Sequence, residues 1–136
     1  GFPLSAMLAK EDLNIFEPGD QGGTYTGQPL AMAVGAAVLK EILDKSLCEH
    51  AHAQGEKIKK GLFERKERLS IVDIRGRGLL IGFDFKDEIA KEFSQKCFDN
   101  GLIVNMSGPK TIRLIPPLII EESHIHEFFD FIDTLF

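Results

Sequence analysis

Apolar positions along the chain keep three different rhythms, and each rhythm predicts a different element. Near the C-terminus Ile125, Phe128, Phe129, Ile132 and Leu135 recur at helical spacing and share one face. Glu121 and Glu122 fall in the first turn of that helix, where negative charge meets the positive end of the dipole. Earlier, Ile71-Val72-Asp73-Ile74 and Leu79 to Phe85 flank Arg75-Gly76-Arg77-Gly78 and predict two strands about a turn. Leu102-Ile103-Val104 and Thr111 to Ile115 predict two more, the second stopped by Pro116-Pro117. Between the pairs, a helix over roughly Glu88 to Phe98 puts Phe93 and Cys97 on one face, and Asn100-Gly101 closes it. A more polar helix around Glu56 to Arg65 carries a narrow stripe of Ile58 and Leu62, with Glu56 and Lys60 spaced as a favourable pair.

The first third reads differently. Leu4 to Ala9 predicts a short buried strand, and Lys10 to Leu13 a turn of helix. Breakers then crowd together from Pro18 to Gly27, and Pro29 sits where a helix can start without losing a hydrogen bond. The run Leu30 to Leu39 is apolar on every side, as in a helix buried all round against another domain or subunit. Helices alternating with short strands predict an α+β fold, a small and mainly antiparallel sheet with helices on one side.

Composition narrows the function. The 136 residues are 43% hydrophobic, enough for a core, and the net charge of -5 disfavours a nucleic-acid surface. Cys48 and Cys97 lack metal-ligand spacing and are expected as small buried residues in a reducing compartment. The start has no signal-peptide pattern, and Leu30 to Leu39 is too short to span a bilayer, so the expectation is a cytoplasmic protein with no membrane and no nucleic-acid partner.

Few residues are arranged for chemistry. His50 and His52, and His124 and His126, are two apart on helices and point to different faces, so no metal site is expected. Gly76-x-Gly78 leads into a strand rather than a helix, which fits a turn or bulge better than a dinucleotide site. Two places remain. Gln21 to Pro29 offers backbone N–H groups and hydroxyls ahead of a helix, a donor set suited to phosphate, although such loops are also common without a ligand. Arg113 is centred in an apolar strand and needs a carboxylate or phosphate to be tolerated there, unless it points to solvent or meets an internal acid.

Taken in order, Gly1-Phe2-Pro3-Leu4-Ser5-Ala6, Gly19 to Tyr25, Gly27-Gln28-Pro29-Leu30, Arg75-Gly76-Arg77-Gly78-Leu79 and Arg113 to Leu118 resemble the class III aminotransferases, most nearly the acetylornithine branch. The resemblance covers essentially the whole chain. It implies the C-terminal small domain of a fold-type I transferase dependent on pyridoxal phosphate. Residues 1–28 would be a remnant of the large cofactor-binding domain, and 29–136 a connecting helix and the small domain.

It further implies that Thr24, with a backbone contact from Gly23, binds the cofactor phosphate in the partner subunit of a homodimer. Arg113 would grip the substrate α-carboxylate. The substrates would be an acyl-blocked basic amino acid, of the N-acetylornithine or succinyl-diaminopimelate type, and 2-oxoglutarate. The family's Schiff-base lysine, its acid for the pyridinium nitrogen and its stacking aromatic all precede the Gly-x-Pro segment. This chain contains none of them, since Lys10 follows that segment. No catalytic residue is therefore assigned, and the chain alone is expected to be inactive. Gln28 and Thr26 also depart from the usual family residues. The competing reading is a non-catalytic α+β interaction or dimerisation module.

Overall fold

The structure, a computed structural model, describes residues 2–135; Gly1, which opens the Gly-x-Pro segment, lies outside the described residues, as does Phe136. The chain divides between Lys45 and Ser46 into two compact units.

In the first unit the expected strand from Leu4 to Ala9 does not form; that stretch is exposed and irregular. A strand needs a neighbour to take its N–H and C=O groups, and this unit offers none. Leu4 instead lies against Gly35, where a Cβ would come 2.7 Å from Leu4 Cδ2. A single 3-10 turn, Glu11–Leu13, replaces the expected turn of helix. Helix α1 runs Pro29–Asp44 with proline in its first turn, as the sequence predicts. The burial expected of it is against another domain or subunit, and within its own unit it is mostly bare: only Ala31 is buried, while Leu30, Met32, Val38, Leu39 and Leu43 stay exposed. Nothing in its own unit is broad enough to cover a helix that is apolar on every side.

The second unit holds helices α2 (Leu47–Glu64), α3 (Ala90–Asp99) and α4 (Glu122–Leu135) and strands β1 (Ile71–Arg77), β2 (Leu80–Phe85), β3 (Asn105–Met106) and β4 (Thr111–Leu114). The sheet order is β1-β2-β4-β3, and every pairing is antiparallel. The α+β expectation therefore holds, with the three helices on one face of the sheet. Period-two alternation explains why. Ile81, Phe83 and Phe85 of β2 and Ile112 and Leu114 of β4 point inward and are buried, while the residues between them face outward.

The core is built around Phe83, Phe85 and Phe93, whose rings lie 5.1 to 6.0 Å apart in tilted and edge-on arrangements. Ile58 and Leu62 of α2, Cys97 of α3, and Ile125, Phe129 and Ile132 of α4 close it. Helix α4 is clamped to α2 from outside: Arg65 stacks 4.4 Å over the Phe129 ring and binds Asp133 with both Nε (2.7 Å) and Nη2 (2.5 Å).

Local details refine the reading. Helix α3 ends as the Asn100-Gly101 signal predicts. Gly101 takes φ +86°, and the Leu102 N–H reaches back to the Cys97 carbonyl at 2.9 Å. That reversal leaves Leu102 to Val104 outside the sheet, and the paired residues are Asn105 and Met106 instead. Glu56 pairs with Lys59, one turn on at 2.6 Å, and not with Lys60. Of the two cysteines only Cys97 is buried; Cys48 is exposed. Among the described residues no helix is long and apolar enough to cross a membrane.

Candidate functional site

The outward face of the sheet is where side chains are free to act. In register across the strands, one row reads Arg75, Gly82, Arg113, Asn105, and the next reads Asp73, Asp84, Thr111. Residues facing each other on adjacent strands share a face, so these seven line one polar surface opposite the phenylalanine core.

Most of the charge on this surface is consumed internally. Arg75 grips Asp84 with both terminal nitrogens (2.7 and 3.0 Å) and Asp73 with one (2.6 Å). The Thr111 hydroxyl donates to Asp84 at 2.7 Å. Arg75, and then Thr111, hold the Asp84 carboxyl below its ordinary pKa, and the bond to Asp84 followed by that to Asp73 raises Arg75 further above its own. The motif Arg75-Gly-x-Gly is thus a hairpin whose arginine is locked by acids. Gly76 is needed there, since its φ is +137° and a Cβ would come 2.8 Å from Ile81 Cα.

Arg113 is treated differently. It sits in the four-residue β4, main-chain paired to Gly82 on one side and Asn105 on the other. Its side chain is exposed and has no hydrogen-bond or ionic partner among the described residues. The internal-acid alternative thereby falls away: the acid at the diagonal position, Asp84, already belongs to Arg75 and Thr111. Arg65, Arg68 and Arg75 hold carboxylates, whereas Arg113, and Arg77 at the far end of β1, have no partner among the described residues. It also borders a mostly apolar groove of about 500 Å³, with Leu102, Val104, Ile115 and Phe128 in its walls and Glu127 as the other charged residue.

Gly23 and Thr24 lie in the first unit, on an exposed loop. A turn is closed there by the Thr26 N–H to the Gly23 carbonyl at 3.0 Å, and Gln28 N–H follows onto the Tyr25 carbonyl at 3.3 Å. The N–H groups of Gly23, Thr24 and Tyr25 and the Thr24 hydroxyl have no partner among the described residues. A Cβ at Gly23 would stand 2.8 Å from Thr26 Oγ1, so a side chain there would require the Thr26 hydroxyl to turn away. The loop therefore presents three consecutive unengaged N–H groups and a hydroxyl, a set that can surround an anion.

The histidines have other duties: His50 Nε2 lies 2.7 Å from the Ile120 carbonyl, and His124 Nδ1 accepts the Glu121 N–H at 3.1 Å. Sequence reasoning missed the Arg75, Asp73, Asp84, Thr111 cluster and the bare position at Gly82. The signal was present as polar residues two apart in Asp73-x-Arg75 and Thr111-x-Arg113, which put them on one side of their strands.

A family model for class-III aminotransferases matches residues 1–136. Among curated relatives, an acetylornithine aminotransferase of Caldanaerobacter subterraneus subsp. tengcongensis is 37% identical over 136 residues, covering 99% of this chain and 35% of that protein. One from Clostridium acetobutylicum is 41% identical over 128 residues, covering 92% and 33%. Among solved structures, acetylornithine aminotransferase from Elizabethkingia anophelis superposes with a TM-score of 0.80 at 31% identity, covering 88% of this chain and 32% of that one. Ornithine delta-aminotransferase of Plasmodium falciparum gives 0.81 at 34%, covering 93% and 34%. The chain spans about a third of the length of these relatives.

Proposed function

Because the chain belongs to the class III aminotransferase family, we propose that it is the carboxylate- and phosphate-recognising part of an aminotransferase dependent on pyridoxal phosphate. The complete protein would act as a homodimer, moving an amino group from an acyl-blocked basic amino acid, of the N-acetylornithine or succinyl-diaminopimelate type, to 2-oxoglutarate. Residues 1–28 would belong with its large domain, and 29–136 with its connecting helix and small domain.

One observation carries this reading: Arg113 is an exposed guanidinium without a partner, on a sheet face where the neighbouring arginine is fully engaged. A planar guanidinium matches a carboxylate with two parallel hydrogen bonds, and both substrates of such a reaction carry an α-carboxylate. Arg113 would hold that group and so fix the orientation of the amino or keto carbon. The same arginine would serve both half-reactions, since the carboxylate does not change between them.

Gly23 and Thr24 fit the phosphate of pyridoxal phosphate. Their unengaged N–H groups and the Thr24 hydroxyl are the donors such an anion takes, and glycine at 23 puts no side chain in its way. When bound, the cofactor supplies the electron sink for breaking the bond to the α-hydrogen. Thr24 would anchor it by the phosphate, in the partner subunit's active site. The amine that accepts the proton would come from the part of the relatives' length that this chain does not span, and the 136 residues alone would be inactive.

Steady-state kinetics of Arg113→Ala in the full-length protein test the central assignment. Removing a charge-assisted pair of about 1.5–3 kcal/mol lowers kcat/KM roughly 10- to 150-fold for amino donor and keto acid alike. Unchanged values for both substrates would remove Arg113 from the site.

A further inference from the structure

Gly82 occupies the middle of β2, the strand flanked by β1 and β4, where glycine is costly because it adds flexibility and contributes no packing. Two structural needs normally force glycine into such a place, and neither applies. Its φ is not in the left-handed region, and no backbone crowds it. A Cβ there would meet nothing nearer than Arg75, at 3.8 Å from Nε and 3.9 Å from Cγ and Cζ, which is ordinary van der Waals contact. Gly55 and Gly76 differ sharply, since a Cβ at either would collide with backbone. The space above Gly82 is therefore open in this chain, and the reason for keeping it open lies outside the chain.

The neighbours indicate what fills it. On one side Arg75 is neutralised by Asp73 and Asp84; on the other Arg113 is directly in register and unpaired. A group entering over Gly82 meets one available positive charge in its own cross-strand row, Arg113, and two carboxylates in the next row. That field accepts one singly charged, planar carboxylate group aimed at Arg113, and disfavours a group that concentrates two charges at one point, such as phosphate. We propose that Gly82 is a specificity-determining position whose missing side chain makes room for the substrate carboxylate beside Arg113, an inference that rests on the assignment of Arg113 above. The Arg75 pairs with Asp73 and Asp84 act with it, keeping a second guanidinium from competing for the same carboxylate.

The experiment compares the full-length protein with Gly82→Ala, Gly82→Val and Arg113→Ala. It measures melting temperature, kcat and KM for the amino donor, and calorimetric binding of glutarate, a dicarboxylate with no amino or keto group. A branched side chain over the notch raises KM and the glutarate Kd about tenfold or more while kcat changes little, the pattern of lost ground-state binding, and alanine falls between. Neither substitution lowers the melting temperature, since each improves on glycine in a strand. Normal glutarate binding by Gly82→Val, with binding weakened by Arg113→Ala, overturns the role of Gly82 and leaves that of Arg113 standing. Unaltered binding in Arg113→Ala overturns both. A drop in melting temperature for Gly82→Ala means the position is packed against another part of the protein, which also overturns it.

Discussion

Three glycines in the second unit meet three different surroundings, and replacing each by alanine should rank them by what a new methyl group strikes. At Gly55, in the middle of α2, a Cβ would lie 2.6 Å from the carbonyl carbon of Gly78 and closer still to its oxygen. This is helix packed on the backbone of the β1–β2 turn, with no side chain between to rotate away. Restoring normal contact requires helix and turn to part by about 1 Å, which strips dispersion contacts from their neighbours as well. Overpacking of this kind costs about 3 kcal/mol, against which alanine returns about 1 kcal/mol of helix propensity, leaving a net loss near 2 kcal/mol. At Gly61 the obstacle is the Phe129 ring, with Cδ2 at 3.0 Å and the outer ring atoms nearer. A ring can tilt, though this one is held under Arg65, so the overlap costs about 1–2 kcal/mol and the net is within about 1 kcal/mol of zero. Gly82 has no obstacle, and alanine there is neutral or stabilising by up to about 1 kcal/mol. Urea unfolding of the full-length protein, followed by hydrogen exchange at β1 and β2 amides, reads the series directly. Were Gly55→Ala as stable as the parent, the close approach of α2 to the turn would be refuted.

Further outcomes follow from the same structure. Iodoacetamide at pH 8 should alkylate exposed Cys48 readily and leave Cys97 unmodified until unfolding, because burial raises the Cys97 thiol to about 11; prompt labelling of Cys97 in the native protein would contradict the packing of α3. Phe93→Ala removes a ring shared by Phe83 and Phe85 and should cost about 3–5 kcal/mol in urea unfolding. Asp84 and Asp133 both titrate below their ordinary value, chiefly through hydrogen bonds from Arg75 and Arg65 respectively. Their pairs therefore stabilise the fold fully above about pH 4, the ordinary carboxylate range, and lose that contribution as pH falls through the lowered folded-state values. The urea midpoint of the doubly substituted Asp84→Asn, Asp133→Asn protein should accordingly vary less between pH 5 and pH 2.5 than that of the parent.

Elements whose signal is local were legible from the chain, β4 included, whereas two stretches whose pairing depends on a distant neighbour were not. Helix α4 follows from the spacing of Ile125, Phe129 and Ile132, and the β1–β2 hairpin from alternation about Gly76 and Gly78, because both signals are local. Leu4 to Ala9 carries a strand's composition but forms no strand, since its unit offers no strand to bond it. The early sheet residues after α3 shifted from Leu102-Val104 to Asn105-Met106 because the Gly101 reversal fixes where the chain can first meet β4. Arg113 stood out as a charge in an apolar strand. Whether it was paired could not be read, because that depends on register: Asp84 sits opposite Thr111, one step away, and Arg75 reaches it from the other side.

The two faces of one sheet explain how so small a unit can fix the base of an exposed arginine, as the proposed role of Arg113 requires. A guanidinium waiting for a carboxylate loses side-chain freedom on binding, so its advantage depends on how little else must be ordered at that moment. At Arg113 the backbone is already fixed from both sides, by Gly82 and by Asn105. Its chain neighbours Ile112 and Leu114 are buried on the opposite face, against the core that Phe83 and Phe93 build. Shifting the Arg113 Cα would mean moving those side chains out of a close-packed interior, at a cost far above that of turning a surface arginine. Only the side-chain torsions remain to be set, and no competing acid has to be displaced first. The inward alternation of β4 therefore does more than stabilise the fold: it fixes the point from which its one outward cation reaches.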